Sequence, residues 1–218
     1  MGFCALLLQV NFEHLYEQGD YVAIINSLEG SPDENYLSIL AFSYQKTKRW
    51  ENAMECWNYL IKKEPTNAEY YNERGVCKFN MRFKHAIQDF DRAIELEPNN
   101  AYFYSCRAYI KDKTGDTEGS VEDYTKSLSL DPTDAITMNN LGLAEQKLGH
   151  TARARAQFKA SDELLGIETI DSRDDEVYSS SFVSHQNDTQ PSTIWKEFKK
   201  MVSSKAGFKQ FWIELRGK

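Results

Sequence analysis

The sequence lacks long apolar runs and closely spaced cysteines. Its longest apolar stretch, residues 3–10, is too short to cross a membrane, and no basic residues precede it as they would in a secretory signal. No two of the four cysteines (Cys4, Cys56, Cys77 and Cys106) have C-x-x-C spacing, so we predict neither a disulfide framework nor a zinc site. These features favour reduced thiols in a cytoplasmic protein.

Motifs that carry catalysis are also missing. The sequence has no glycine-rich phosphate loop and no G-x-S-x-G elbow. The histidines are scattered (His14, His85, His150 and His185), and none lies at metal-ligand spacing from another candidate ligand. We therefore predict a protein that is not an enzyme and that uses neither a metal nor a cofactor.

The charge is acidic overall but unevenly distributed. With 33 acidic and 26 basic residues the net charge is −7, which argues against general binding to nucleic acid. Residues 166–192 contain six acidic and one basic residue, whereas residues 193–218 contain seven basic and two acidic ones. The C-terminal end therefore differs in chemistry from the rest of the chain.

A period of 33 or 34 residues organises the middle of the sequence. Pro65, Pro98 and Pro132 follow one another at these steps, each after an acidic residue. Within each period, apolar residues at three- and four-residue steps predict two short helices. Four further positions recur in the same register: two are small, one is aromatic and one is small or aliphatic. They are Ala41/Gly75/Ala108/Gly142, Ala53/Ala86/Ser120/Ala154, Trp57/Phe90/Tyr124/Phe158 and Leu60/Ala93/Ser127/Ser161.

These positions resemble those of the tetratricopeptide repeat (TPR) family, whose unit is a helix–turn–helix of this length. The resemblance covers residues 34–165 and implies an all-α superhelix of stacked helix pairs; the chain as a whole is similar to uncharacterised bacterial TPR proteins. We predict a degenerate N-terminal repeat at 1–33 and repeats at 34–67, 68–100, 101–134 and 135–166. An acidic flexible linker at 167–192 and a basic amphipathic helical segment at 193–218 follow.

The resemblance also implies a binding surface, because the first helix of each TPR unit lines a concave groove that holds a partner peptide or helix. Carried over position by position, the candidate groove residues are Asn35, Ser38, Phe42, Asn72, Glu73, Tyr102, Ser105, Tyr109, Asn139 and Asn140. Neighbouring positions add Gln45, Glu69, Val76, Cys106, Ile136 and Leu143. The Lys and Arg that clamp acidic peptide C-termini in some TPR domains are missing here, so an acidic tail is not the expected ligand. Several of these side chains could instead pack against the adjacent repeat.

The C-terminal segment has two apolar stripes separated by lysines. Its aromatic residues are Trp195, Phe198, Phe208, Phe211 and Trp212. Such a segment could cap the last repeat or fill the groove of its own chain, bind another protein or a second copy, or lie on a membrane surface.

We therefore interpret the chain as a non-catalytic scaffold or adaptor that captures a protein or peptide partner in the TPR groove. The alternative is a peripheral membrane-associated or autoinhibited regulator that uses its basic tail.

Overall fold

Residues 11–30 and 33–166 are described by a computed structural model, and they are helical apart from short turns. The N-terminal helices are α1 (Phe12–Gln18), α2 (Tyr21–Leu28), α3 (Leu37–Lys46, after a 3-10 turn at Glu34–Tyr36) and α4 (Trp50–Lys63). They are followed by α5 (Ala68–Asn80), α6 (Ile87–Leu96), α7 (Ala101–Thr114), α8 (Thr117–Leu130), α9 (Ala135–Lys147) and α10 (Thr151–Leu165). No strand occurs in these two ranges.

Each helix packs against the next one along the chain, which is the arrangement of a TPR superhelix. Helices α3, α5, α7 and α9 are the first helices of their pairs, and α5 also contacts α7, as α7 contacts α9. The predicted all-α repeat fold is therefore confirmed for the part of the chain that is described.

Large aromatic rings meet small residues inside each pair. Trp57, Phe90, Tyr124 and Phe158 are all buried, with at most 5% of their surface exposed. A Cβ atom added at Gly75 would lie 2.8 Å from Cε2 of Phe90, and one at Gly142 would lie 2.6 Å from Cε1 of Phe158. The small residues in the sequence pattern are therefore required because the ring of the second helix lies against the backbone of the first.

Polar groups fix where the first helices begin. The side chains of Asn67, Asn100 and Asp134 accept hydrogen bonds from backbone N–H groups in the first turns of α5, α7 and α9. The hydroxyls of Ser127 and Ser161 donate to the carbonyls of Ala101 and Ala135, 2.8 Å away in each case. Both serines stand at the repeat position of Leu60 and Ala93, and they tie a second helix to the start of its own first helix.

The N-terminal helices share one apolar core. Phe12, Ile24, Leu28, Leu40 and Trp57 are among its buried members. The Phe42 ring packs against Trp57 at a centroid distance of 5.0 Å, and Phe12 packs against Tyr36 at 4.7 Å. Residues from α1 to α4 are therefore held together by aromatic and aliphatic contacts.

The central helices contain a network of ion pairs and hydrogen bonds that we call the Arg74 clamp (Asn58, Arg74, Lys78 and Asp89). The guanidinium of Arg74 on α5 binds both carboxylate oxygens of Asp89 on α6, at 2.8 and 2.7 Å. Its remaining terminal nitrogen, Nη1, donates to Oδ1 of Asn58 on α4 at 3.0 Å, and Nζ of Lys78 lies 2.9 Å from Asp89. One arginine thereby connects both helices of its own pair to the preceding pair.

The same arrangement recurs one unit later in the Arg107 clamp (Asp91, Arg107, Lys111 and Asp123). Arg107 binds both carboxylate oxygens of Asp123 at 2.8 and 2.7 Å and reaches back to Asp91 on α6 at 2.7 Å. Lys111 completes the set, 2.9 Å from Asp123. Asp89 and Asp123 are buried and the arginines and lysines that bind them are half-buried, so each clamp is centred on a buried, paired carboxylate.

Candidate functional site

The exposed and half-buried side chains of α3, α5, α7 and α9 form what we call the first-helix face. Neighbouring first helices contact each other directly, so residues at equivalent positions lie side by side from one unit to the next. This is the surface on which the sequence placed the candidate groove residues.

Four apolar side chains on this face are open to solvent, and we call them the apolar quartet. Tyr102 and Tyr109 lie two turns apart on α7, with 55% and 40% of their surface exposed. Ile136 and Leu143 occupy the equivalent positions on α9, with 43% and 37% exposed. Because seven residues are nearly two helical turns, each pair lies along one side of its helix. The quartet therefore forms an apolar strip across two neighbouring first helices.

The candidates on α3 and just before it differ in accessibility. Asn35 is exposed and its side chain donates to the carboxylate of Asp33 at 2.8 Å. Ser38 is half-buried. Phe42 belongs largely to the N-terminal core, where it contacts Trp57 and Tyr16. Phe42 therefore contributes mainly to packing at this end.

The candidates on α5 are buried. Asn72 has no exposed surface and Glu73 is 8% exposed. The carboxylate of Glu73 accepts hydrogen bonds from Nε2 of Gln45 at 3.1 Å and from Nδ2 of Asn72 at 3.0 Å. These contacts connect α3 to α5 beneath the surface, as expected if some candidates pack against the adjacent repeat.

The remaining candidates on α7 and α9 are half-buried. They are Ser105, Asn139 and Asn140. The Ser105 hydroxyl donates to the carbonyl of Tyr102 at 2.9 Å. Both asparagines stand between the positions of Ile136 and Leu143 on α9, so amide groups lie beside the apolar quartet.

Sequence reasoning missed three participants in this face. Lys147 on α9 forms an ion pair with Asp112 on α7 at 3.0 Å, and the Phe79 ring lies edge-on to Tyr109 at 6.5 Å. These residues stand near the C-terminal ends of their helices, one turn beyond the positions taken from the TPR pattern. The signal that could have identified them is the continuation of the same helical face for one more turn.

The thiols here are poor nucleophiles. Burial raises the pKa of Cys56 to about 11, and burial likewise raises the pKa of Cys77 and of Cys106 to about 12, so all three remain protonated at neutral pH. Within 11–30 and 33–166 there is no cluster of three or more residues able to hold a metal ion. No helix in these ranges is long and apolar enough to cross a membrane.

The predictions for the ends of the chain lie outside the described residues. They concern residues 1–10, the linker at 167–192 and the basic segment with Trp195, Phe198, Phe208, Phe211 and Trp212. The proposed tail contacts, self-association and membrane binding therefore stay predictions.

Comparison with known proteins gives a consistent family assignment. Models of the tetratricopeptide repeat match residues 37–67, 90–122 and 123–156. Two of these matches begin within a second helix, so they count the same repeat from a different starting point. No curated protein matches the chain.

Solved structures with the same fold include a crystal structure of MamA. It is 24% identical, covers 72% of this chain and 96% of its own, and has a TM-score of 0.61. MamA from Desulfovibrio magneticus RS-1 is 16% identical, with coverages of 71% and 91% and a TM-score of 0.61. The first TPR domain of Spaghetti (RPAP3), bound to the HSP90 peptide SRMEEVD, is 23% identical over 53% of this chain and 93% of its own, with a TM-score of 0.50. With its repeat register, its buried ring-against-glycine contacts and these matches, the chain is a member of the tetratricopeptide repeat family.

Proposed function

We propose that this protein is a non-catalytic scaffold that binds an extended or helical segment of a partner protein on its first-helix face. The observation that carries the proposal is the apolar quartet. Its four side chains are large, at least 37% exposed, and aligned across α7 and α9. A contiguous apolar surface of this kind is typical of a site that another molecule covers.

The surroundings of the quartet suit a peptide. Tyrosines combine a large apolar ring with a hydroxyl, and amide side chains bind main-chain N–H and C=O groups. Asn139 and Asn140 supply such amides beside Ile136 and Leu143. The helices are already ordered in their pairs, so little ordering of this protein is needed when the partner binds.

The solved TPR domain with the peptide SRMEEVD supports the mode of binding but not the same ligand. That peptide is acidic, and the first-helix face here already carries the carboxylate of Glu69 on α5, with Glu73 buried one turn further along the helix. Like charges disfavour an acidic segment at this position. We therefore propose a partner segment that is apolar and not acidic.

Selection of random linear peptides on the immobilised full-length protein tests the proposal. Peptides that bind should be apolar in composition. Binding should weaken about tenfold or more with Tyr109→Ala or Leu143→Ala, because truncating a central anchor residue removes a large part of the interface energy.

Phe83→Ala is the matched control, since Phe83 is 48% exposed and lies in the turn between α5 and α6 and not on a first helix. Its variant should bind the selected peptides as the wild type does. Failure to select any peptide, or equal losses with Phe83→Ala and Tyr109→Ala, would contradict the proposed function.

A further inference from the structure

Two carboxylates, Glu69 and Glu73, lie one helical turn apart on α5. Glu69 is half-buried and Glu73 is buried. Neither forms an ion pair with another described residue. The hydrogen-bond donors to the Glu73 carboxylate are neutral, since they are the amides of Gln45 and Asn72. The charge of Lys46 acts on Glu73 from α3 and offsets part of this negative charge.

Burial raises the pKa of both carboxyl groups. Burial, followed by the charges of Glu73 and Glu97, raises the pKa of Glu69 to about 7. Burial also raises the pKa of Glu73, against the opposing effects of Gln45, Asn72 and Lys46. A carboxylate with a raised pKa is stabilised in its charged form when a cation binds next to it.

An aromatic ring lies beside this pair. Tyr102 stands on α7, which contacts α5, and its ring is 55% exposed. Its pKa is raised by Cys106 first and by burial second, with the charges of Glu73 and Glu69 also contributing. Tyr102 stands 33 residues after Glu69, at the equivalent position of the next first helix, so its side chain lies beside the acidic pair.

A third feature is an unfilled acceptor. Asn72 is fully buried, and its Oδ1 atom has no hydrogen-bond partner, while its Nδ2 atom donates to Glu73. A buried acceptor without a donor is uncommon in proteins and costs free energy. It lies beneath the surface next to the Glu73 carboxylate, so a ligand with several N–H donors that enters beside Glu73 meets more than one acceptor.

We propose that Glu69, Glu73 and Tyr102 form a pocket for an arginine side chain of the partner segment. A guanidinium can stack on the tyrosine ring while its N–H groups donate to the carboxylates. This inference rests on the proposed function, because the arginine belongs to the segment whose apolar side chains cover the quartet. It defines the partner as apolar with at least one arginine.

The experiment compares N-acetyl-arginine amide with N-acetyl-citrulline amide, which has nearly the same shape but no charge. Each is titrated into the full-length protein while backbone amide signals are followed by NMR. The arginine derivative should shift signals of α5 and α7 saturably, and the citrulline derivative should bind about tenfold more weakly or worse. Glu69→Gln and Glu73→Gln should each weaken arginine binding severalfold, whereas Glu122→Gln, an exposed carboxylate on α8, should not.

The pH provides a second readout. Because Glu69 ionises near neutral pH, arginine binding should strengthen between about pH 6 and about pH 8, and Glu69→Gln should remove most of this dependence. The groups facing Glu69 and Glu73 that carry or can acquire charge are Lys46, Glu97, Tyr102 and Cys106. Thermal unfolding of each variant verifies that it is folded.

Equal binding of the two amides, no saturable shift with the arginine amide, or an equal loss with Glu122→Gln would overturn the arginine pocket. Selected peptides that depend on Tyr109 and Leu143 but contain no excess of arginine would also overturn it, and would leave the proposed function standing. If the protein binds the arginine amide at Glu69 and Glu73 but selects no peptides, the arginine pocket stands and the proposed function fails.

Discussion

The N-terminal helices α1–α4 and the central helices α5–α8 use the same helix-pair geometry with different interiors. At the repeat positions where the central units have Arg74, Lys78 and Asp89, the preceding unit has Leu40, Tyr44 and Cys56, all buried in the apolar core. At these positions one region uses apolar packing and the other uses paired charges, although apolar clusters are buried in both regions. The comparison shows that the TPR fold specifies the size and position of these contacts and leaves their chemistry open.

Apolar contacts and buried ion pairs respond differently to substitution. An apolar contact that loses a methyl group loses stability in proportion to the cavity that remains. A buried ion pair that loses one partner leaves an uncompensated charge, although the intact pair is worth little more than apolar residues of the same volume. The central region should therefore tolerate paired replacement far better than single replacement.

The largest effect should come from the apolar core. Trp57→Ala removes a fully buried ring and should lower the free energy of unfolding by about 3–5 kcal/mol. Trp57→Phe should cost clearly less, because it keeps an aromatic ring and removes a buried indole N–H that has no hydrogen-bond partner. Urea unfolding followed by circular dichroism measures both.

The control for this change is Val22→Ala, whose side chain is 58% exposed. It should leave the unfolding curve nearly unchanged. If Trp57→Ala were no more destabilising than Val22→Ala, the assignment of this ring to the centre of the N-terminal core would be wrong.

The next effect should come from breaking a clamp. Asp89→Ala leaves Arg74 and Lys78 without their carboxylate and should cost about 2–4 kcal/mol. The double variant Arg74→Leu/Asp89→Cys installs the residues of the preceding unit, Leu40 and Cys56, and should recover much of that loss. A double-mutant cycle in urea measures the coupling.

Glu95→Ala provides the comparison with a surface ion pair, since Glu95 binds Arg92 with both side chains exposed. It should cost less than about 1 kcal/mol. If the double variant lost as much stability as the two single variants together, Arg74 and Asp89 would not be coupled. The proposed contrast between paired charges in the central region and apolar packing in the N-terminal region would then be wrong.

The smallest effect should be a dependence on pH that belongs to the central region. The pKa of Glu69 is raised from its ordinary value of 4.5 to about 7, so the folded state binds the proton more tightly than the unfolded state. Its contribution to stability is fully present below about pH 4.5 and is lost as the pH rises through about 7. At about 1.4 kcal/mol per pKa unit the rise corresponds to at most about 3 kcal/mol, and solvent around this half-buried side chain reduces that value.

The measurement is the free energy of unfolding of the wild type and of Glu69→Gln between about pH 5 and about pH 8. The difference between the two proteins should change with pH, and that for the control Glu122→Gln should not. In the N-terminal region the position equivalent to Glu69 is Asn35, which does not titrate. Hydrogen exchange in α3 should therefore not vary with the ionisation of Glu69. A difference that is constant with pH would exclude the raised pKa.

Much of the fold was predictable because the contacts that define it recur. The aromatic Trp57 and Phe90 and the glycines Gly75 and Gly142 stand in fixed columns, and each column has one physical meaning in every unit. The clamps were predictable in principle, since Arg74/Arg107 and Asp89/Asp123 recur at the same steps. They were missed because a charged residue in a helix is normally assigned to the surface.

The candidate site was harder to predict for a geometric reason. Asn72 and Glu73 occupy positions that line a groove in the TPR pattern, yet they are buried against Gln45 of the preceding pair. Tyr102 and Tyr109, chosen by the same rule, are exposed. Accessibility depends on the angle between successive pairs and on the size of the neighbouring side chains, and a periodic pattern specifies neither.

Each clamp arginine binds a residue of the preceding helix pair, and this contact affects how the chain can gain or lose a repeat. Arg74 binds Asn58 and Arg107 binds Asp91, and the two acceptors are 33 residues apart at equivalent positions. A deletion of residues 68–100 would bring Arg107 next to Asn58, which still offers an oxygen atom, and a duplication of the same segment would pair each new arginine with an aspartate. The last unit has Leu141 at the position of the clamp arginines. A copy of that unit would therefore not bind an acceptor in the preceding pair. A central unit can therefore be lost or copied as a block while every clamp arginine keeps an oxygen acceptor in the preceding pair.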